Sequence, residues 1–325
     1  MNRKHVIVSA VVALVLAVGI VAWPRGIPTS AKLMQALQAG DHGARWWRGN
    51  LHAHSTASDG NLPAAQVADW YRTHGYDFLA LTDHDVLNPV PLAGGSRAGF
   101  LVLRGEEVSN AVGSASVHVG AIEPASAIRA SPAGEVVPAM EADAAAAQRV
   151  GALVQLNHPN YAYSVTAEQI MRARGIGLFE VFNGHPLSNN AGDGVHPSTE
   201  RLWDIALSFR IASLRLPMIY GTATDDAHDY GPPSSDAGSP GRGWVMVFAD
   251  TLTPTAITRS LATGRFYATT GVLLERVLTY DQGVRVEVAA QPHVDYLIEF
   301  IGTRRGFDAR STPAVGRQGQ PVYGT

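Results

Sequence analysis

Seven short apolar runs recur along the chain, and nearly every one leads into histidine, aspartate or glutamate. Residues 46–51 run into His52-Ala53-His54, and 76–81 into Thr82-Asp83-His84-Asp85. Residues 100–103 precede Arg104-Gly105-Glu106-Glu107, and 117–122 carry His118. Residues 152–156 precede Asn157-His158-Pro159, 177–182 precede Asn183, and 218–222 precede Asp225-Asp226-Ala227-His228. Runs of this length read as strands, and helical patterns at 63–74, 141–150 and 200–209 alternate with them. Gly75 and Gly151 stop the first two of these helices. The alternation predicts a parallel sheet. Seven such strands predict a closed or nearly closed β/α barrel with its site at the C-terminal ends of the strands.

The flanks differ in character. Arg3, Lys4 and His5 precede an apolar stretch over 6–23, and Pro24 ends it. A basic start and a long apolar run predict export, with residues 1–24 either a cleaved signal peptide or a retained membrane anchor. The protein is then expected in the periplasm or outside the cell, free or anchored facing outward. Residues 25–45 read as a linker with a short helix at 31–37. The barrel is expected over 46–271. Within it a Gly/Pro/Ser-rich loop at 231–243 precedes a strand at 244–248 and a helix at 254–263. Residues 272–325 read as a small β-rich appendage with strands at 284–288 and 296–301.

Absence of cysteine excludes disulfides and thiolate metal sites, so any metal must be held by His, Asp and Glu. Only 16% of residues are charged, the formal net charge is -3, and there is no long basic run. That argues against an extended nucleic-acid surface and leaves a small molecule, a nucleotide-like one included, as the expected substrate. Nothing in the pattern fixes an oligomeric state.

Residues two apart on a strand share a face, so His52 and His54 aim two imidazoles at one point. Asp226 and His228 repeat the spacing, and Asp59 in a Ser-Asp-Gly turn can return a carboxylate. Ten side chains collect at the strand ends: His52, His54, Asp59, Asp83, His84, Glu107, His118, His158, Asp226 and His228. Burying so many without a shared partner is costly, whereas a multinuclear metal site satisfies them together. Asp83 reads as a residue that orients a histidine ligand. Arg104 stands at a strand end, where a guanidinium suits a phosphate or carboxylate. His185, His196, Arg242 and Arg265 are weaker candidates for a pocket wall. Ser114 and Ser116 have no base in pattern and give no support to serine hydrolysis.

His52-Ala53-His54, Ser58-Asp59-Gly60, Thr82-Asp83-His84-Asp85, Gly105-Glu106-Glu107-Val108-Ser109, Asn157-His158-Pro159 and Asp226-Ala227-His228 resemble, in order, the motifs of the polymerase and histidinol phosphatase (PHP) domain. The resemblance spans about residues 47–230. Gly264-Arg265-Phe266-Tyr267-Ala268-Thr269-Thr270-Gly271 is similar to the branch that includes carbaryl-hydrolysing enzymes. The resemblance implies a distorted seven-stranded β/α barrel holding two or three divalent metals, manganese, iron or zinc. It implies His52, His54, Glu107 and Asp226 at one metal. Glu107 then bridges to a second, with His118 and His158, and Asp59, His84 and His228 hold a third. Many members have histidine where Asp59 stands. Glu107 is chosen over Glu106 because Val108-Ser109 follows it, and Asp226 over Asp225 for its spacing to His228.

The expected activity is metal-dependent hydrolysis by a hydroxide bridging two metals, with Glu107, Asp226 and Arg104 as catalytic residues. A phosphoester is the favoured substrate because the third-metal ligands are present. A carbamate or carboxylic ester, seated against Tyr161, Tyr163 and Phe182, is the rival. A metal-binding module without turnover is a further alternative.

Overall fold

The computed structural model describes residues 43–88, 99–232, 238–280 and 283–303, together with the short strands at 314–315 and 321–322. The expected leader over 1–24 and the linker helix at 31–37 lie outside the described residues. Among the described residues no helix is long and apolar enough to cross a membrane.

In chain order the elements are β1 (Arg45–Asn50), α1 (Ala64–Thr73), β2 (Phe78–Leu81), β3 (Leu101–Val112), β4 (Ala115–Ile122), α2 (Val136–Arg149), β5 (Leu153–Leu156), α3 (Ala167–Arg172), β6 (Leu178–Asn183), α4 (Thr199–Phe209), β7 (Tyr220–Thr224), β8 (Trp244–Ala249), α5 (Pro254–Ala262), β9 (Phe266–Thr269), β10 (Leu274–Tyr280) and β11 (Gly283–Val288). Two-residue strands at Ala314–Val315 and Pro321–Val322 follow. The β2 strand, Phe-Leu-Ala-Leu, is buried along its whole length. Apolar residues on both faces are what a strand covered by helices requires. Helix α5 starts on Thr253, whose side chain accepts the Ala256 amide, with Pro254 in the first turn.

One sheet of nine strands, in the order β7-β6-β5-β4-β3-β2-β1-β8-β9, organises the fold. The α/β class is as expected, but the sheet has nine strands rather than seven. Strands β8 and β9 are the additions, with β8 antiparallel to β1 along Arg45–Gly49 and β9 antiparallel to β8. The sheet is also not wholly parallel. Strand β4 runs antiparallel to both β3 and β5. Its cause is local: Gly113, at φ 61°, and Ser114 make a two-residue turn that folds β3 straight back into β4. Residues 104–109, read as the polar end of the strand over 100–103, are thereby drawn into a twelve-residue β3.

The sheet almost closes. Beyond the last residues of β1 and β7, Ala53 and Ala227 form a parallel bridge. The His54 amide donates to the Ala227 carbonyl at 2.9 Å, and the Asp226 amide to the His52 carbonyl at 3.0 Å. The seam at this end of the sheet is therefore made of the ligand-bearing segments themselves.

Two buried clusters support the sheet. One joins β4–β6 to α2, α3 and α4 through residues such as Met140, Ile170, Phe179 and Trp203. The other joins β1–β3 and β8 to α5 through Phe78, Leu103, Val245 and Ile257. The expected strand over 284–288 is β11, which pairs with β10. Residues 296–301 form no strand. They have no ladder partner among the described residues, and Phe300 and Ile301 are exposed.

Candidate metal centre

His52, His54, Glu107, His158 and Asp226 are buried together, while His84, His118 and His228 are half-buried beside them. His52 Nε2 lies 3.2 Å from Glu107 Oε2 and 3.1 Å from Asp226 Oδ1. His54 Nε2 lies 3.3 Å and 3.1 Å from the same two oxygens. The two histidine nitrogens are 3.1 Å apart. Glu107 faces two ways. Its Oε1 meets His118 Nδ1 at 3.2 Å and His158 Nε2 at 3.0 Å, while Oε2 meets His84 Nδ1 at 3.1 Å. Asp59 Oδ1 stands 3.3 Å from His228 Nε2 and 3.4 Å from His54 Nδ1, at the solvent edge.

The structure thus brings nine of the ten strand-end residues into one cluster. Four sets have donor atoms within 4.8 Å of one another: His52–His54–Asp226, His52–Glu107–His158, His84–Glu107–His118 and His54–Asp59–His84–His228. The four side chains implied at one metal also approach one another, since His52 Nε2 and His54 Nε2 each lie within 3.3 Å of both Glu107 Oε2 and Asp226 Oδ1. Within these sets His52 is shared by Glu107 and Asp226, and His54 also joins the Asp59 set. His118 arrives from the first half of an antiparallel strand, not from a strand's C-terminal end.

Three buried polar atoms at this cluster have no hydrogen-bond partner: Glu107 Oε2, Asp226 Oδ1 and His118 Nδ1. Buried atoms of this kind are ordinarily satisfied, and each of these three belongs to a set whose donor atoms fit a divalent cation. His52 makes the same point. If its Nδ1 donates to Glu180 Oε1, 2.8 Å away, a neutral ring turns a bare Nε2 lone pair on two carboxylates. Only a proton or a metal resolves that contact. Imidazoles and carboxylates without thiolates suit manganese, iron or zinc.

Surrounding residues fix which atom each ligand presents. Asn183 Nδ2 donates to Asp226 Oδ2 at 3.1 Å, leaving Oδ1 to the centre. Asn157 Nδ2 donates to Glu107 Oε1 at 2.8 Å. Ser116 Oγ meets His118 Nε2 at 2.9 Å, and His228 Nδ1 donates to the Asp226 carbonyl at 2.9 Å. Asp226 itself has φ 50°, a costly left-handed conformation for a residue with a side chain. The hydrogen bond from its amide to the His52 carbonyl across the seam helps to hold it there.

Without metal, protons do the balancing. Burial works to lower the His52 pKa, but the carboxylates of Asp226, Glu107 and Glu180 outweigh it and raise it well above the ordinary value. His54 is raised to about 9, again against burial, by Asp226 and Glu107. Burial works to raise Glu107 and Asp226, but the neighbouring histidines hold both well below the carboxylate range.

Glu180 is the residue that sequence reasoning missed. It is wholly buried, and its five contacts span five elements or loops. Oε1 accepts from His52 Nδ1, from Gln155 Nε2 at 3.2 Å and from Thr224 Oγ1 at 2.6 Å. Oε2 accepts from the His158 amide at 2.7 Å and Asn183 Nδ2 at 2.8 Å. A lone acid inside Leu-Phe-Glu-Val-Phe was the available signal, since an acid there needs partners.

Three expectations need correction. Arg104 does not face the cluster. It lies three residues from Glu107, hence on the opposite face of β3, and its guanidinium pairs with Glu123 Oε2 at 3.1 Å. Asp83 touches no histidine; it accepts from the amides and hydroxyls of Ser55 and Ser58 and so shapes the turn that carries Asp59. His196 stacks on Tyr163 at 3.8 Å and pairs with Asp193 at the surface. Of the paired carboxylates, Glu106 turns outward to accept the Ile128 amide. Asp225 accepts from the Tyr71 hydroxyl and the amides of Arg242 and Gly243.

No family model matches the chain, and no curated protein matches it. Among solved structures, the chain is similar to a two-domain protein from Bacteroides vulgatus described as containing a PHP-like metal-dependent phosphoesterase. Identity is 20%, the TM-score is 0.46, and 76% of each chain is covered. It is also similar to a Bifidobacterium adolescentis protein described as a metal-dependent phosphoesterase. Identity there is 18% and the TM-score 0.41, with 57% of this chain and 89% of that one covered. A third is an amidohydrolase from Chromobacterium violaceum, with bound sulfate and no metal. It has 16% identity and a TM-score of 0.43, and 67% of this chain and 96% of that one are covered.

Proposed function

We propose that the chain is a metal-dependent hydrolase of the PHP type, acting on a small-molecule phosphoester. One observation carries the reading: Glu107 Oε2, Asp226 Oδ1 and His118 Nδ1 are buried, unpartnered and ringed by imidazoles. Divalent ions held by such a set supply Lewis acidity and a water of lowered pKa. The residues themselves bind and orient. His52, His54 and Asp226 form the buried floor, Glu107 spans from them to His118 and His158, and Asp59, His84 and His228 form the open side. Substrate therefore enters past Asp59, which is half-exposed, while the floor stays shut from water.

The phosphoester preference rests on that outer set. A phosphoryl group carries several charged oxygens and needs cations around it, and Asp59, His84 and His228 can hold one more. Arg104 no longer contributes. A carbamate or carboxylic ester is the second reading, favoured by the Tyr161 ring standing 5.6 Å from that of His158. Export by residues 1–24, with or without retention as an anchor, and a small-molecule partner complete the proposal.

The test is a substrate panel on protein reconstituted with manganese, iron or zinc, covering phosphomonoesters, phosphodiesters, aryl carbamates and aryl esters. Phosphoester turnover inhibited competitively by phosphate or vanadate is the expected result. Fast carbamate hydrolysis indifferent to phosphate selects the second reading. Full metal occupancy without turnover on any class selects a binding module.

A further inference from the structure

His185 belongs to none of the ligand sets, yet its ring stands 5.3 Å from that of His228. It lies on the loop that follows β6 and is half-buried. The loop is firmly built around it. The His185 amide donates to Asn183 Oδ1 at 2.8 Å, and the Ser188 amide donates to the His185 carbonyl at 3.1 Å. Asn183 is the same residue that orients Asp226.

The ring is gripped along both of its near edges. On one edge Nδ1 accepts the Leu187 amide at 3.3 Å. On the other, Cδ2 packs against Gly238 so closely that a Cβ there would meet it at 2.9 Å. The Gly238 carbonyl in turn accepts the amides of His228 and Asp229 at 2.8 and 3.0 Å. The far edge, Cε1 and Nε2, remains. Because Nδ1 accepts, the neutral ring carries its proton on Nε2. The chain thus builds a fixed N–H donor beside the outer ligand set and gives it no acceptor among the described residues.

We propose that His185 binds substrate, its Nε2–H donating to an oxygen of the group held at the Asp59–His84–His228 edge. The inference rests on the hydrolase reading but not on which ester is cleaved, since phosphoryl and carbonyl groups both present an oxygen there. A donor to a charged oxygen fixes orientation and affinity together.

The experiment uses metal-loaded full-length protein, wild type, His185→Ala and His185→Gln. Inorganic phosphate binding is measured by calorimetry, alongside metal content and steady-state kinetics. Phosphate affinity should fall about tenfold or more in His185→Ala, with KM rising to match and metal content unchanged. His185→Gln, which keeps an N–H donor, should recover much of the loss. Unchanged phosphate affinity in His185→Ala overturns the proposal, and so does metal loss in both variants, which makes His185 a ligand or a structural residue. If wild type ignores phosphate but cleaves a carboxylic ester or carbamate, the phosphoester reading falls. The same three proteins then judge His185 by KM for that ester. A holoenzyme that takes neither overturns both.

Discussion

Glu180 Oε1 lies 2.8 Å from His52 Nδ1, and neither side chain reaches solvent. The pair fixes the His52 tautomer and turns Nε2 to the centre, as a carboxylate behind a metal-bound histidine does. Glu180→Gln places an amide N–H against donors whichever way it is flipped. Metal affinity, read by chelator competition, should fall 10–100-fold. Thermal or urea unfolding should show a loss of about 2–3 kcal/mol from the unsatisfied donors. Unchanged metal affinity would sink the positioning role.

Glu107 and Glu106 separate cleanly. Glu107→Gln should abolish most metal binding and activity, because one side chain serves both His158 and His118. Glu106→Gln should keep both, since Glu106 faces the Ile128 amide on the far side of β3. Metal analysis after dialysis, with activity on the reconstituted proteins, decides it. The reverse pattern refutes the placement.

Arg104→Ala should leave KM and phosphate inhibition unaltered. Its ion pair with Glu123 is partly exposed, so stability should change by about 1 kcal/mol or less. A large rise in KM would return Arg104 to the pocket.

Asp59→Ala should cut phosphoester turnover by at least about tenfold while sparing the buried floor. Metal content should drop by no more than one equivalent. Loss of all metal would show that the outer set is not separable from the floor.

Metal-free and metal-loaded protein should respond to pH in opposite directions. In the metal-free chain, His54 is raised to about 9 from an unfolded value of 6.5. A raised pKa contributes stability that is complete below the unfolded value and is lost as pH rises through the folded one. Thermal stability in chelator should therefore decline between about pH 6.5 and 9. At the acid end, Glu107 and Asp226 are depressed. Their contribution is present above the ordinary carboxylate range and lost as pH falls below it. Metal must displace the histidine protons, so metal affinity should strengthen over the interval where the metal-free chain weakens. Melting curves with and without chelator across pH 5–10 test both slopes.

The ligands were legible because strand chemistry is local. His52 and His54, two apart, and Asp226 and His228, two apart, announce a shared face in the sequence. The same rule of alternation excludes Arg104, an odd number of residues from Glu107, but that parity holds only if residues 104–107 are strand. Reading the strand as ending at Arg104 hid it. The Gly113-Ser114 turn, which makes β3 long and β4 antiparallel, is the missing piece. Strands β8 and β9 were harder to place, because the 231–243 loop gives no sign that the chain rejoins the same sheet. Glu180 was overlooked for a different reason: four of its five partners come from distant segments, and no spacing encodes them.

The bridge between Ala53 and Ala227 sets the order in which the protein can become functional. The backbone hydrogen bonds that flank it fasten the segment after the first sheet strand to one made after six further strands. During synthesis, His52 and His54 emerge early and wait for Asp226 and His228 to arrive. The complete ligand set therefore forms only at the end of folding, when the segments that follow β1 and β7 meet. An ion held there would act as a clasp on the join, and a chain interrupted before Asp226 would lack the ligands to fasten it.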